Sequence, residues 1–245
     1  MKKLLTLGLI ALVAVTLTAC SSHDFDEYDE LRQDILTQIG QWEHKSVYNE
    51  LSLPGEAQMP QHMMLEFHEN QETGEMYMEI RDLSDGGANI VHYTYVDGQT
   101  AYIYENYEDM DPEDFDDPDD YVDEYYDVTE YESIEDNFPR VDQIILDALS
   151  GFPDESIVDE EGIEFEEFNV ERDNDAFDVV ASLNYSTDHQ GQAIDEDMTW
   201  SLEGEYNEFT VISADPQAGE IRFVRQNFFD TFEGIDKDLF EESDS

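Results

Sequence analysis

The sequence predicts an α+β fold: a large curved antiparallel sheet, half-barrel-like, with an N-terminal helix and a mid-chain helix packed on it. Three observations lead there. Short runs with alternating apolar residues recur between turn signals. Two segments instead carry apolar residues at spacings of three and four. The order is helix, several strands, an acidic insert, helix, several strands, which suits helices layered on one antiparallel sheet.

The first helical segment is "YDELRQDILTQIGQW". Tyr28, Leu31, Ile35, Ile39 and Trp42 fall on one helical face, giving an expected helix over 26–44. Strands follow. "HMMLEFHE" puts Met63, Leu65 and Phe67 on one face and His62, Met64, Glu66 and His68 on the other. "EMYMEIRD" puts Met76, Met78 and Ile80 opposite Tyr77, Glu79 and Arg81. "NIVHYTYV" and "TAYIYENY" are joined by Asp97-Gly98, a strong tight-turn signal. These four strands read as a meander.

Between 108 and 135 acids, prolines and aromatics mix without a period, so a long acidic loop is expected. "NFPRVDQIILDALSGFP" then marks the second helix: Asn137 and Pro139 at its start, Val141, Ile144, Ile145, Ala148 and Leu149 as its apolar face, Gly151 and Pro153 at its stop. Strands are expected again over about 163–172, 176–186, 196–203, 206–214 and 219–228. Here Phe177, Val179, Leu183, Met198, Trp200 and Leu202 alternate as the earlier apolar residues do. The single domain is expected to span 27–235, with an acidic C-terminal tail over 236–245.

The N-terminus carries a different signal. Lys2 and Lys3 precede the apolar run "LLTLGLIALVAV", the layout of a secretory leader. The run is shorter than the roughly 20 apolar residues that a spanning helix needs. It closes on Leu17-Thr18-Ala19-Cys20, which holds the only cysteine of the chain. This string resembles the lipobox of bacterial lipoproteins. The resemblance implies that residues 1–19 are a signal peptide, that Cys20 receives the lipid (diacylglyceryl, with palmitate-type acylation), and that 20–26 is a lipidated tether. Two acyl chains anchor stably where one is marginal. The expected location is therefore the extracytoplasmic face of the cell membrane.

The chain has 64 acidic and 10 basic residues, a formal charge of −54. Loss of Lys2 and Lys3 leaves 8 basic residues against the same 64 acids, a charge of −56. The acids run through every predicted element rather than forming a tail. Such self-repulsion opposes a compact state unless salt screens it, so the composition fits a halophilic or alkaline medium. A second reading takes the charge as a surface for cations or basic partners. Nucleic acid is excluded as a partner, since phosphate contacts need Lys and Arg. The apolar fraction of 40% supplies a core for a folded domain.

The mature segment resembles the LolA-like half-barrel lipoproteins in its order of elements, with "HKSVYNELSL" after the first helix and "YVDGQTAYIYENYEDM" before the insert as corresponding pieces. That resemblance implies a curved sheet whose apolar face takes acyl chains or another hydrophobic ligand, and no catalysis. The residues it points to are Met63, Leu65, Phe67, Met76, Met78, Ile80 and Trp200. A filled core would use the same residues, and both readings stay open.

Catalytic signatures are missing from the string. There is no G-x-S-x-G and no Gly-rich phosphate loop. His62, Glu66 and His68 share one strand face by parity but lack the spacing of a zinc site, so they read as solvated polar residues. Asp109 to Asp120 has acids at calcium-loop positions, but Asp114 stands where the loop needs Gly. Weak association of divalent cations is all that is expected there. No enzyme activity, cofactor or metal is expected. The competing function is an acidic interaction module whose tyrosine-rich segments bind cations, cell-wall polymer or a basic protein.

Overall fold

The structure is a computed structural model that describes residues 23–52, 62–84, 88–107, 123–157, 163–189, 192–214 and 219–242. Cys20 and the acidic stretch 109–120 lie outside them. Helix α1 spans His23–Ile39, α2 Val141–Ser150 and α3 Lys237–Glu242. The strands are β1 His44–Ser52, β2 His62–Asn70, β3 Met76–Asp82, β4 Asn89–Asp97, β5 Thr100–Asn106 and β6 Glu124–Glu130. They continue with β7 Ile163–Asp173, β8 Ala176–His189, β9 Gln192–Glu205, β10 Glu208–Ile212 and β11 Glu220–Val224. They form one large curved antiparallel sheet in the order β6-β5-β4-β3-β2-β1-β11-β10-β9-β8-β7. The two meanders are therefore joined through β1 and β11, the first strand and the last.

The α+β class stands, with four corrections. The first helix stops at Ile39, not at 44, because Gly40 and Gln41 turn the chain and β1 begins at His44. Trp42 nevertheless enters the core that the helix covers. Residues 124–130, expected in the acidic loop, form strand β6, whose Tyr126 and Val128 pair with Tyr104 and Tyr102 of β5. Acidity hid an alternation that pairing with β5 reveals. His68 is not a solvated strand residue; it is buried. The segment from Lys237 is a short helix packed on β6 rather than a free tail.

Parity divides the sheet into two faces. On one, Phe67 pairs with Val47, Val47 with Phe223, Phe223 with Phe209, and Leu202 with Val179. Helices α1 and α2 cover this face over β1 and β7 to β11, burying Leu31, Ile35, Ile145 and Leu149 against Phe209 and Phe223. Gly204 makes room there. A Cβ on it would lie 2.4 Å from the Glu208 carbonyl oxygen and 2.8 Å from the Phe209 Cβ, and its φ of 142° is itself unfavourable for other residues.

Helix α2 is fixed by charge as well as by apolar contact. Glu69, buried on β2, accepts the Arg140 guanidinium at 2.5 Å and the Val141 backbone N–H at 3.0 Å. It thus satisfies one of the donors that open α2 and faces the positive end of its dipole. Lys45, directly opposite Glu69 in the β1–β2 ladder, is fully buried and donates to Asp142 at 2.6 Å.

The other face is roofed by the C-terminal segment. Phe228 stacks on the His68 ring with centroids 3.7 Å apart and planes 9° from parallel. Phe232 packs on Tyr77 and Tyr95, and Phe240 on Tyr93, Tyr102 and Tyr126. Lys237 pins this strap, donating to Asp97 at 3.0 Å with its ammonium 4.6 Å from the Tyr102 ring centroid. Tyr77, Tyr93, Tyr95, Tyr102 and Tyr126 of these strands thus pack against the strap.

Candidate ligand-binding face

The six apolar residues singled out on β2 and β3 share the helix-bearing face of the sheet. Leu65 stands directly opposite Ile80, and Phe67 opposite Met78. The residues differ in cover. Met63 and Met76 are buried, whereas Leu65, Phe67, Met78 and Ile80 are half-buried. Trp200 points to the same face but sits on β9, four strands from β2 in the sheet order, against the helix-covered core.

The contrast has a structural cause. Helices α1 and α2 lie over one half of the sheet, where Phe209, Leu202 and Val179 are almost completely buried. Over β2 the start of α2 reaches down, with Phe67 packed against the helix-covered core, and over β3 to β5 the cover among the described residues is the chain leading into α2. Tyr131, Ile134 and Phe138 from that chain pack on Met76, Val96 and Ala101. Beneath Phe138 and Pro139 is a small cavity lined by Phe67, Glu69, Met76, Met78, Thr94 and Val96, among others, with about 10 Å³ of space, the size of one water molecule.

Two polar side chains on β4 border this region. His92 pairs with Ile80 across the β3–β4 ladder, and Thr94 with Met78. The His92 Nε2 lies 3.0 Å from Thr94 Oγ1, and its Nδ1 lies 3.5 Å from Glu105 Oε1 on β5. Glu105 also accepts the Tyr107 hydroxyl. Desolvation lowers the His92 pKa below its ordinary value, against the opposing pull of Glu105. Desolvation thus favours the neutral imidazole. Neither Thr94 nor Glu69 was singled out in the sequence, although parity puts both on the apolar face: Thr94 two residues before Val96, Glu69 two after Phe67.

On the roofed face, Ser46 Oγ lies 2.8 Å from His68 Nδ1, and Glu66 Oε2 lies 3.3 Å from His68 Nε2. The hydrogen bond from His68 lowers the Glu66 pKa. Phe228 lies flat on the His68 ring and buries it, while the Glu66 side chain keeps 16% of its exposure. Among the described residues, no three His, Cys, Asp or Glu side chains cluster as metal ligands, and no helix is long and apolar enough to cross a membrane.

No protein-family model matches the chain, and no curated protein matches it in sequence. Among solved structures, the chain is similar to the crystal structure of the Mycobacterium tuberculosis lipoprotein LppX. The similarity has a TM-score of 0.35 and 7% sequence identity, and covers 81% of this chain and 92% of that one.

Proposed function

We propose that the chain is a lipid-anchored lipoprotein on the extracytoplasmic face of the cell membrane, without catalytic function, that holds a lipid or other hydrophobic molecule. The ligand lies on the apolar face of β2 to β5. One observation carries this reading. The same face of the same sheet is sealed by two helices on one side, while on the other, among the described residues, Leu65, Met78 and Ile80 stay half-buried beside Phe67 at the edge of the helix-covered core. Half-covered apolar residues grouped on one face mark a surface suited to an apolar partner. Methionine suits such a surface, because an unbranched thioether adapts to irregular apolar shapes. Met63 and Met76, both buried, bound it at the two ends of the β2–β3 ladder.

The anchor rests on Leu17-Thr18-Ala19-Cys20. Cys20→Ser is expected to leave an uncut precursor that incorporates no labelled fatty acid; incorporation by that variant contradicts the anchor. The ligand is tested separately. Native mass spectrometry of the chain beginning at Ser21 is expected to show a copurified apolar molecule, and a bare protein mass that no added lipid shifts contradicts the binding role.

A further inference from the structure

The cavity beside Met78 is too small for an acyl chain, yet it is the right size for one polar group of a ligand whose chain runs outside it over Met78, Ile80 and Leu65. Its polar lining decides which group fits. The Glu69 oxygens are occupied by Arg140 and the Val141 N–H. His68 and Tyr77, also in the lining, turn their side chains to the roofed face, which leaves Thr94 as the polar side chain on this side. The carboxylate of Glu105 beside Nδ1 of His92 keeps the proton of the neutral imidazole on that nitrogen. The His92 Nε2 then presents a lone pair, and the Thr94 hydroxyl donates to it across the 3.0 Å contact. A hydroxyl has one proton to give. With that proton spent on His92, Thr94 offers only lone pairs to the cavity it lines.

From this geometry we infer that Thr94 is a specificity-determining acceptor, and that the ligand is an apolar molecule ending in an uncharged donor, a hydroxyl group. The inference rests on the binding reading above and narrows it. A carboxylate end group is rejected for two reasons. It has no proton to give to Thr94, and the cavity lining holds the Glu69 carboxylate with no Lys or Arg. An ester end group fails on the first count alone.

The test uses the chain from Ser21 onward, which keeps every described core residue, the first being Tyr28 and the last Phe240. Three fluorescent probes share one polyene chain: cis-parinaryl alcohol, cis-parinaric acid and methyl cis-parinarate. Titrations are made at about pH 8 in about 1 M NaCl, so that general charge repulsion is screened. The alcohol is expected to bind about tenfold more tightly than the ester, the factor of a single hydrogen bond, and the acid at least as weakly as the ester. Thr94→Val should bring the alcohol down to the ester's affinity while leaving the ester unchanged, and Thr94→Ser should keep the preference. Equal binding of alcohol and ester by the parent overturns the inference and leaves the binding reading standing. So does a preference that survives Thr94→Val. Failure of all three probes to bind overturns both.

Discussion

Glu69 on β2 accepts the Val141 N–H at 3.0 Å, so a strand carboxylate caps a helix that begins 72 residues later in the chain. Arg140 holds the other oxygen at 2.5 Å. This relationship sets where α2 starts, and with it how far the chain before α2 reaches over β2 to β5. The two partners are unequal. The Arg140 side chain keeps 30% of its exposure, the Glu69 side chain 2%.

That inequality predicts unequal substitutions. Glu69→Gln keeps an acceptor and frees an arginine that water can reach; the expected cost is about 1.5–3 kcal/mol, that of a charged hydrogen bond. Arg140→Ala strands a buried carboxylate, and about 3–5 kcal/mol is expected. Urea unfolding of both variants checks the order. A smaller loss for Arg140→Ala would show that the Val141 N–H alone compensates the charge.

The strap predicts a second result. Phe240 is 1% exposed and touches Tyr93, Tyr102 and Tyr126 by ring edges. Phe240→Ala is expected to cost about 3–5 kcal/mol and to weaken the near-ultraviolet circular dichroism of the tyrosines. A variant as stable as the parent would mean that the strap is not part of the folded core.

Alkaline pH probes the same face. Burial pushes the Tyr93 phenol up from 10.0 to about 12. Tyr77, Tyr95 and Tyr104 are raised further, by burial first and then by their hydrogen bonds to Glu79, Glu75 and Glu124. Lys237, raised by its hydrogen bond to Asp97, acts with the same sign. The folded chain holds these protons more tightly than the unfolded one. Their contribution to stability is therefore complete below the unfolded phenol pKa of about 10 and is lost above it, that of Tyr93 as pH rises through about 12 and those of Tyr77, Tyr95 and Tyr104 at still higher pH. Absorbance of tyrosinate should lag behind free tyrosine and then rise together with unfolding. Ionisation of all the tyrosines near pH 10 in a still-folded chain contradicts the packing described for the strap.

Much of this fold was readable because alternation and helical spacing are local. Met63, Leu65 and Phe67, then Met76, Met78 and Ile80, declare a strand face before any partner is known. What stayed hidden was non-local. The strand character of 124–130 depends on pairing with β5, and His68 is buried by partners distant in sequence, Phe228 160 positions away among them. That the apolar residues of β2 and β3 share one sheet face was legible, while how far they are covered was not, since that depends on how far α1 and α2 extend over the sheet. Thr94 and Glu69 were missed because a polar residue at an apolar position looks like an interruption until its partners are seen.

The most direct test of the binding face compares two methionines two residues apart. Met76 is buried under Tyr131, Ile134 and Phe138, and Met78, on the same sheet face, is half-buried. Met76→Ala should cost about 2–5 kcal/mol by leaving a cavity. Met78→Ala should cost less than about 2 kcal/mol but lower the affinity for a polyene fatty alcohol about tenfold, roughly the apolar contact of a lost thioether arm. Measured side by side, a small stability loss with a large binding loss at Met78 is the result this account predicts. Equal, large stability losses at both positions, in a parent that binds no apolar probe, would contradict it and make this face an ordinary filled core.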